Sequence, residues 1–303
     1  MYIEGVRIIS IQKYEAFIKT VELGSFKKAA EALGYTQAGI SYMLNTLETE
    51  LNLTLFVRDY GGVQLTTDGK QLLPWIQEVC NSERRFHAKL ADLKCLESGT
   101  LRVAAFTSVA IQWLPGIMQS FLQEYPNIKF ELRCSDDQSE TEQLVWRGDV
   151  DCGFFVLPVK PDLFMIPLKR DPLLIALPGN HPLSAAPYFP INSLSKYPYI
   201  ELDEGSFSEM RDVFKTYDTN PNIAFKVENS YAAMALVSKG FGFSIFPELF
   251  LQGMTFPMIA KELEIPAYRE LAIAIRSQDT ASLATKTFLN YVEKWVHEFY
   301  DKK

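Results

Sequence analysis

The chain has 303 residues, 48% of them hydrophobic and 22% charged, with a formal net charge of −7. That length allows roughly two or three units of about 100 to 150 residues, and a composition without biased tracts places it among soluble globular proteins. Residues 1–99 hold 11 Lys and Arg against 12 Asp and Glu, and the remainder 19 against 25, so neither part is the basic domain that phosphate binding favours. The opening MYIEGVRIIS is too short and too polar for a signal peptide, and no apolar run approaches about 18 residues. The expectation is a cytoplasmic protein without a membrane span.

Helical spacing begins with Phe17, Val21, Ala29, Ala30 and Leu33, and an interruption at LGSF predicts two short helices. Ser25 suits the N-cap of the second. Gly34 suits its end, because glycine enters the left-handed C′ conformation without cost. Thr36 then caps a third helix, from Gln37 to about Glu50, with Ile40, Leu44, Leu47 and Leu51 on one face. Ala30, Gly34 and Ile40 make the packing set of a helix-turn-helix: alanine permits close approach, glycine turns the chain and isoleucine locks the second helix on the first. An αα-hairpin with no DNA role shares this periodicity. From Ala29 to Val57 there is no Lys or Arg, while Glu31, Glu48 and Glu50 are all present, an unusual balance for an element that meets a polyanion. Next comes LNLTLFVRDYGGVQLTTDGKQLL, whose β-prone runs around DYGG predict a two-stranded wing.

With the wing included, the sequence closely resembles the LysR-type transcriptional regulators. The matching residues are Phe17, Gly24-Ser25-Phe26, Ala29-Ala30, Leu33, Thr36-Gln37, Ser41, Leu47-Glu48, Leu55-Phe56, Arg58, Leu65-Thr66 and Gly69, at fixed offsets over about 55 residues. The resemblance implies a winged helix-turn-helix over residues 1–65 that reads promoter DNA. Its candidate base or groove contacts are Thr36, Gln37, Ala38, Ser41, Tyr42 and Asn45, since amides suit adenine edges and methyl groups suit thymine. Lys27, Lys28 and Arg58 are the candidate phosphate contacts on either side. Members of the family often carry a basic residue where Tyr42 stands, and basic residues in the wing where DYGG stands.

A long helix follows from Thr66 or Thr67 as N-cap. Leu72, Ile76, Val79, Glu83, Phe86, Leu90 and Leu93 alternate spacings of four and three, which makes three heptads with one polar exception. Pro74 predicts a kink near its start. The resemblance implies that this helix, residues 66–96, pairs with its counterpart in a second subunit through Leu72, Ile76, Val79, Phe86, Leu90 and Leu93. A helix packed on its own domain is the alternative. ESGT at 97–100 reads as a hinge.

From Leu101 the pattern changes. LRVAAF, IKFELRC and DCGFFV read as strands, with helical stretches near 110–124 and 138–147, an order that implies a parallel sheet with right-handed crossovers. After about Asp171, PLLIALP opens a second α/β unit. LVSKGFGFSIFPELF reads as helix, glycine turn, strand and helix; LAIAIR and an amphipathic helix over 280–300 return to the first unit. Two crossings make a hinged cleft, a common ligand site. WLPGIMQSFLQEYPNIKFEL, GDVDCGFF, HPL and GFGFSIFPE resemble the effector domain of the same family, which implies a periplasmic-binding-protein fold over 97–303, with lobe I near 100–170 and 270–303 and lobe II near 171–269. Thr107 and Ser108 open a helix whose N-terminus suits an anion, with a plain N-cap role as the alternative; Ser135 follows the second strand and Phe155 ends the third, both on the cleft side, and Ser206, Phe207, Glu228 and Asn229 would face them from the other lobe, with an ordinary capped loop as the alternative for each. Acidic Asp136, Glu204 and Glu228 lie near that cleft and would suit a cationic group, with solvated acidic loops as the alternative.

Other functions find little support. His87, His181 and His297 are far apart, and no nucleophile elbow, phosphate loop or zinc-protease helix occurs, so the chain is not read as an enzyme. Cys80, Cys95, Cys134 and Cys152 form no CxxC pair and read as reduced buried thiols, with a redox sensor as the alternative, rather than as a disulfide framework or a zinc site. The alternative is a solute-binding protein without a DNA role. The expectation is thus a mixed α/β chain: winged helix-turn-helix, linker helix and two-lobed effector domain. It would act as a homodimer or homotetramer with promoter DNA, a small-molecule effector and RNA polymerase as partners, and with no other cofactor.

Overall fold

The computed structural model describes residues 10–59, 62–92, 99–160, 162–203 and 209–301. The chain divides near Ala88 into two compact units.

In the first unit α1 (Ile11–Leu23), α2 (Phe26–Leu33) and α3 (Gln37–Leu51) are followed by the hairpin β1 (Phe56–Asp59) and β2 (Gly62–Leu65) and by α4 (Thr67–Asp92). The expected caps are in place. The Ser25 hydroxyl accepts from the Lys28 N–H, and the Thr36 hydroxyl from the Gly39 N–H at 3.0 Å. Gly34 ends α2 at φ 72°, a conformation costly for any residue with a Cβ. Phe17, Phe26, Ile40, Leu44, Leu47 and Phe56 build the core, with the Phe56 ring 5.1 Å from Phe17 and edge-on to Phe26. The Glu48 carboxylate accepts from the Leu55 and Phe56 N–H groups at 2.6 and 3.0 Å, which fastens α3 to the wing. Thr66 caps α4 by accepting from the Gly69 N–H at 2.9 Å. At Gly69 any Cβ would collide with the Leu55 carbonyl oxygen, so α4 approaches the wing only because that side chain is missing. Helix α4 runs unbroken through Pro74.

The second unit begins with β3 (Gly99–Ala105), α5 (Thr107–Gln112), α6 (Leu114–Glu124), β4 (Ile128–Cys134), α7 (Gln138–Arg147) and β5 (Cys152–Val156). Strand β3 pairs in parallel with β4 and β5, as the βαβ order requires. One helix was expected near 110–124, but two are present. Trp113, fully buried, breaks the run, and Pro115, which lacks an N–H, starts a new helix at α6. Strand β6 (Phe164–Pro178) then carries the chain into lobe II. There follow β7 (Pro198–Leu202), α8 (Glu209–Thr216), β8 (Asn222–Val227), α9 (Ser230–Ser238), β9 (Ser244–Pro247), α10 (Glu248–Leu251) and β10 (Met258–Lys261). Strand β11 (Ala267–Ile275) returns, and α11 (Leu283–Asp301) packs on lobe I.

The main sheet runs β10-β6-β11-β5-β3-β4, and β9 joins β6. Strands β6 and β11 pair antiparallel from Ala267 opposite Leu173 to Ile275 opposite Phe164 and belong to both lobes. The boundaries expected at 170/171 and 269/270 therefore fall inside continuous strands rather than in loops. Each lobe has its own core: Trp113, Phe121, Phe154 and Phe288 in lobe I, and Tyr199, Phe214, Phe243 and Phe246 in lobe II. The two-stranded ribbon β6/β11 is the hinge between them. Among the described residues no helix is long and apolar enough to cross a membrane.

Candidate functional site

Helix α3 turns one face into the core and presents Gln37, Ala38, Tyr42, Asn45 and Thr49 to solvent, with Tyr42 73% exposed and Ser41 half-buried. Of the acids that made this segment look unsuited to DNA, Glu31 is exposed on α2, and the two on α3 do not lie on that face. Glu48 holds the wing amides, and Glu50 is ion-paired with Lys13 at 2.7 Å, its side chain only 13% exposed. The Thr46 and Thr49 hydroxyls donate back to the Tyr42 and Asn45 carbonyls, at 2.7 and 2.8 Å. What remains outward is a neutral surface of amides, methyl groups and one phenol. Lys27 and Lys28 lie in the first turn of α2, both exposed, and neither forms an ion pair with a described residue. Arg58 lies on β1 opposite Val63; its side chain is outside the described residues.

The stripe on α4 needs correction. Ile76 is buried in the core of the first unit and Leu72 packs against the same cluster, because the first turns of α4 cover the helix-turn-helix core of their own chain. Val79, Phe86 and Leu90 are exposed, and so is Trp75, at 73%. The solvent-facing stripe therefore passes through Trp75, Val79, Phe86 and Leu90, one position aside from the expected seam at its start. Leu93 lies outside the described residues.

In the second unit a cavity opens at the C-terminal ends of β3, β4 and β5, the place where open α/β sheets receive ligands. Phe106, Ser108, Ser135 and Gln138 line it from lobe I, Ser230 and Phe246 from lobe II, and Arg269 from the hinge. Arg269 on β11 lies opposite Asp171 on β6 in strand register. Their side chains are 5% and 4% exposed and meet at 2.8 Å. The Arg269 guanidinium also donates to the Ser108 hydroxyl of lobe I at 2.8 Å and lies over the Phe106 ring, while Asp171 accepts from the Leu249 N–H of α10 at 3.0 Å. One ion pair thus ties the hinge strands to α5 and α10 beside the cavity. The cavity encloses about 40 Å³, and at roughly 10 to 15 Å³ for one water that is room for only a few solvent-sized groups.

Several expected cleft residues lie elsewhere. Phe155 is buried with Val145, Val150 and Ala274 on the opposite face of the sheet; its neighbours Phe154 and Val156 line the cavity. The N-terminus of α5 is not open to an external anion at Thr107, because the Asp136 carboxylate accepts from both the Thr107 N–H and its hydroxyl, each at 2.7 Å. Asp136 is thereby committed as a cap rather than set out for a cation. Ser108 and Ser135 do reach the cavity, Ser135 with its hydroxyl donating to Glu140 at 2.6 Å. Glu228 and Asn229 are exposed, and Asn229 caps α9 by accepting from the Ala232 N–H, so Ser230 takes the cavity position. Glu204, Ser206 and Phe207 lie outside the described residues. The sequence did not single out Arg269 and Asp171, because each stands beside other charges, Lys169 and Arg170 in LKRDPLLIAL and Glu270 in AYRELAIAI.

No described group of His, Cys, Asp or Glu is placed to hold a metal ion. Burial pushes the Cys80 thiol up to about 11, with Glu15 adding to the shift, and pushes Cys152 well above its ordinary range. Neither is a thiolate near neutrality. Cys134, expected to be buried, is exposed at the end of β4, and Cys95 lies outside the described residues.

Residues 11–70 match the family model for bacterial regulatory helix-turn-helix proteins of the lysR family, and residues 96–296 match the LysR substrate binding domain. The uncharacterized HTH-type transcriptional regulator YvbU of Bacillus subtilis is 30% identical over 289 residues, which cover 94% of this chain and 98% of that protein. The HTH-type transcriptional activator CmpR of Synechocystis is 25% identical, covering 93% of this chain and 94% of that one. In fold the chain is similar to the LysR family regulator CbnR, with a TM-score of 0.72, 20% identity and coverage of 95% of this chain and 99% of that one. Among described residues the neutral face of α3 and the polar interlobe cavity stand on the two matched regions, and the chain belongs to the LysR family of DNA-binding transcriptional regulators, with an effector-binding domain in its C-terminal part.

Proposed function

We propose that a small molecule bound in the cavity at Arg269 sets the angle between the lobes and thereby the way paired α3 helices engage promoter DNA. The observation that carries this reading is the Arg269–Asp171 pair, which joins the two hinge strands, puts Arg269 in the cavity wall and bonds to Ser108 of α5 and to the Leu249 N–H of α10. A ligand too large for the about 40 Å³ of this arrangement would favour a more open one, which would link occupancy to lobe angle. The ligand shifts that equilibrium only through different affinities for the two arrangements. The exposed stripe of Trp75, Val79, Phe86 and Leu90 supports pairing of α4 between two subunits, and two such pairs would make a homotetramer. A regulator of this design works in the cytoplasm, with RNA polymerase as a further partner and no cofactor beyond its effector.

The test is a thermal-shift screen of the full-length chain against small carboxylates, sugars and inorganic anions, repeated on Ser108→Ala. A compound that stabilises the wild type, stabilises Ser108→Ala less and changes promoter retardation in a gel shift supports the reading. A stabiliser indifferent to Ser108 places the effector site elsewhere.

A further inference from the structure

Beside the cavity lies a second and larger hollow, a groove of about 510 Å³ that shares only Val156 and Arg269 with it. Leu157 lines this groove from lobe I, Arg170, Tyr268 and Glu270 from the hinge ribbon, and Val213 and Tyr217 from lobe II. Both walls are fastened next to the ribbon. The Leu157 N–H donates to the Glu270 carbonyl at 2.8 Å, and the Tyr217 hydroxyl donates to the Ile265 carbonyl at 2.7 Å. The groove has the size of an ordinary small-molecule site, about 300 to 1,000 Å³.

Arg170 on β6 and Glu270 on β11 stand directly opposite in strand register, an arrangement in which opposite charges ordinarily pair. Here they do not. The Arg170 guanidinium lies over the Tyr268 ring, 3.9 Å from its centroid, and forms no ion pair or hydrogen bond with a described residue. The Glu270 carboxylate likewise has no partner among the described residues. The other charges of the wall, Asp212 and Arg269, are held by Lys215 and Asp171 at 2.7 and 2.8 Å. The groove thus sets an uncommitted cation and an uncommitted carboxylate on neighbouring strands.

We infer that this groove is a second ligand site and that its ligand is an α-amino acid with an apolar side chain. Such a molecule carries a carboxylate and an ammonium on one carbon, the complement of Arg170 beside Glu270. The guanidinium, laid flat on Tyr268, presents a fork of N–H donors that suits the carboxylate, and Glu270 accepts from the ammonium. Leu157, Val213 and the Tyr217 ring supply apolar surface for the side chain. A ligand with only one of the two charges leaves Arg170 or Glu270 without a partner. Because both lobes and the ribbon bound the groove, its occupant biases the same hinge as a ligand of the cavity while touching different residues.

The experiment is isothermal titration calorimetry of the full-length chain with L-leucine and L-phenylalanine, each also as its N-acetyl and amide forms. The proteins are the wild type, Arg170→Gln, Glu270→Gln and Ser108→Ala. Arg170 and Glu270 are exposed, so both glutamine variants are expected to keep the wild-type thermal midpoint. The wild type is expected to bind an amino acid at least about 10-fold more tightly than its acetylated or amidated form, each of which lacks one charge. Arg170→Gln is expected to lose the preference over the amide, and Glu270→Gln the preference over the acetyl form. Absence of binding by both amino acids overturns the inference, and so does equal affinity for the charged and blocked forms. Binding that is weakened by Ser108→Ala and by neither glutamine variant also overturns it; the amino acid then occupies the cavity at Arg269, and the reading of that cavity stands.

Discussion

The working face of α3 and the wall of the interlobe cavity treat charge in opposite ways. On α3 the carboxylates of Glu48 and Glu50 are drawn inward to hold the wing and Lys13, so the outward surface is neutral. At the cavity Arg269, paired with Asp171, is taken out of water and placed in the wall itself. The contrast follows from the partners. DNA already carries a dense charge, so a neutral helix can read bases while other groups meet phosphate. A small cavity gains selectivity from a buried ion pair only because each charge is fully bonded, since desolvation otherwise outweighs attraction.

The largest effect should come from breaking that pair. Arg269→Ala or Asp171→Asn leaves a buried charge uncompensated and should cost about 3–5 kcal/mol in chemical denaturation of the full chain. The double variant Asp171→Leu, Arg269→Met should recover most of that loss, because well-packed apolar residues replace the pair without a stranded charge. Equal loss in the double variant would mean that the hinge depends on the charges themselves. On the other side of the comparison, Glu48→Ala removes the acceptor of the Leu55 and Phe56 N–H groups. It should destabilise the first unit by about 1–3 kcal/mol, read as a lower thermal midpoint. An unchanged midpoint would show that Glu48 is turned inward without holding anything.

A smaller effect depends on pH. Burial holds His181 below its ordinary range, and its Nδ1 accepts from the Leu183 N–H at 3.1 Å, which requires that nitrogen to be unprotonated. The unfolded chain therefore binds the proton first, at about pH 6.5, and stability contributed by neutral His181 is complete above that pH and declines as the pH falls below it. Denaturation midpoints between about pH 7.5 and 5 should fall for the wild type and fall less for His181→Gln. Parallel curves would remove His181 from the account.

These regions also differed in how far the sequence disclosed them. Caps at Ser25, Thr36 and Thr66 act within three residues, so the helix-turn-helix and wing were legible from local spacing and from the family pattern. Leu72 and Ile76 were not, because a heptad records that a helix face is apolar and not whether its own chain or another covers it. Strand β5 is buried at all five positions, so no polar residue marks which side faces the cleft, and Phe155 was placed one residue off. Asp171 and Arg269 are 98 residues apart and meet only through the register of β6 on β11, which local pattern does not contain.

The division of labour on the first unit is open to one direct measurement. Affinity of the full-length protein for its promoter site is followed against salt for the wild type, Gln37→Ala and Lys28→Ala. Gln37→Ala should weaken specific binding by about 1–3 kcal/mol at every salt concentration and leave the slope of log affinity against log salt unchanged, while Lys28→Ala should reduce that slope by about 1 for each phosphate contact removed. A Gln37→Ala line of lower slope, or a Lys28→Ala line parallel to the wild type, would contradict the assignment of base reading to the neutral helix and of phosphate binding to its flank.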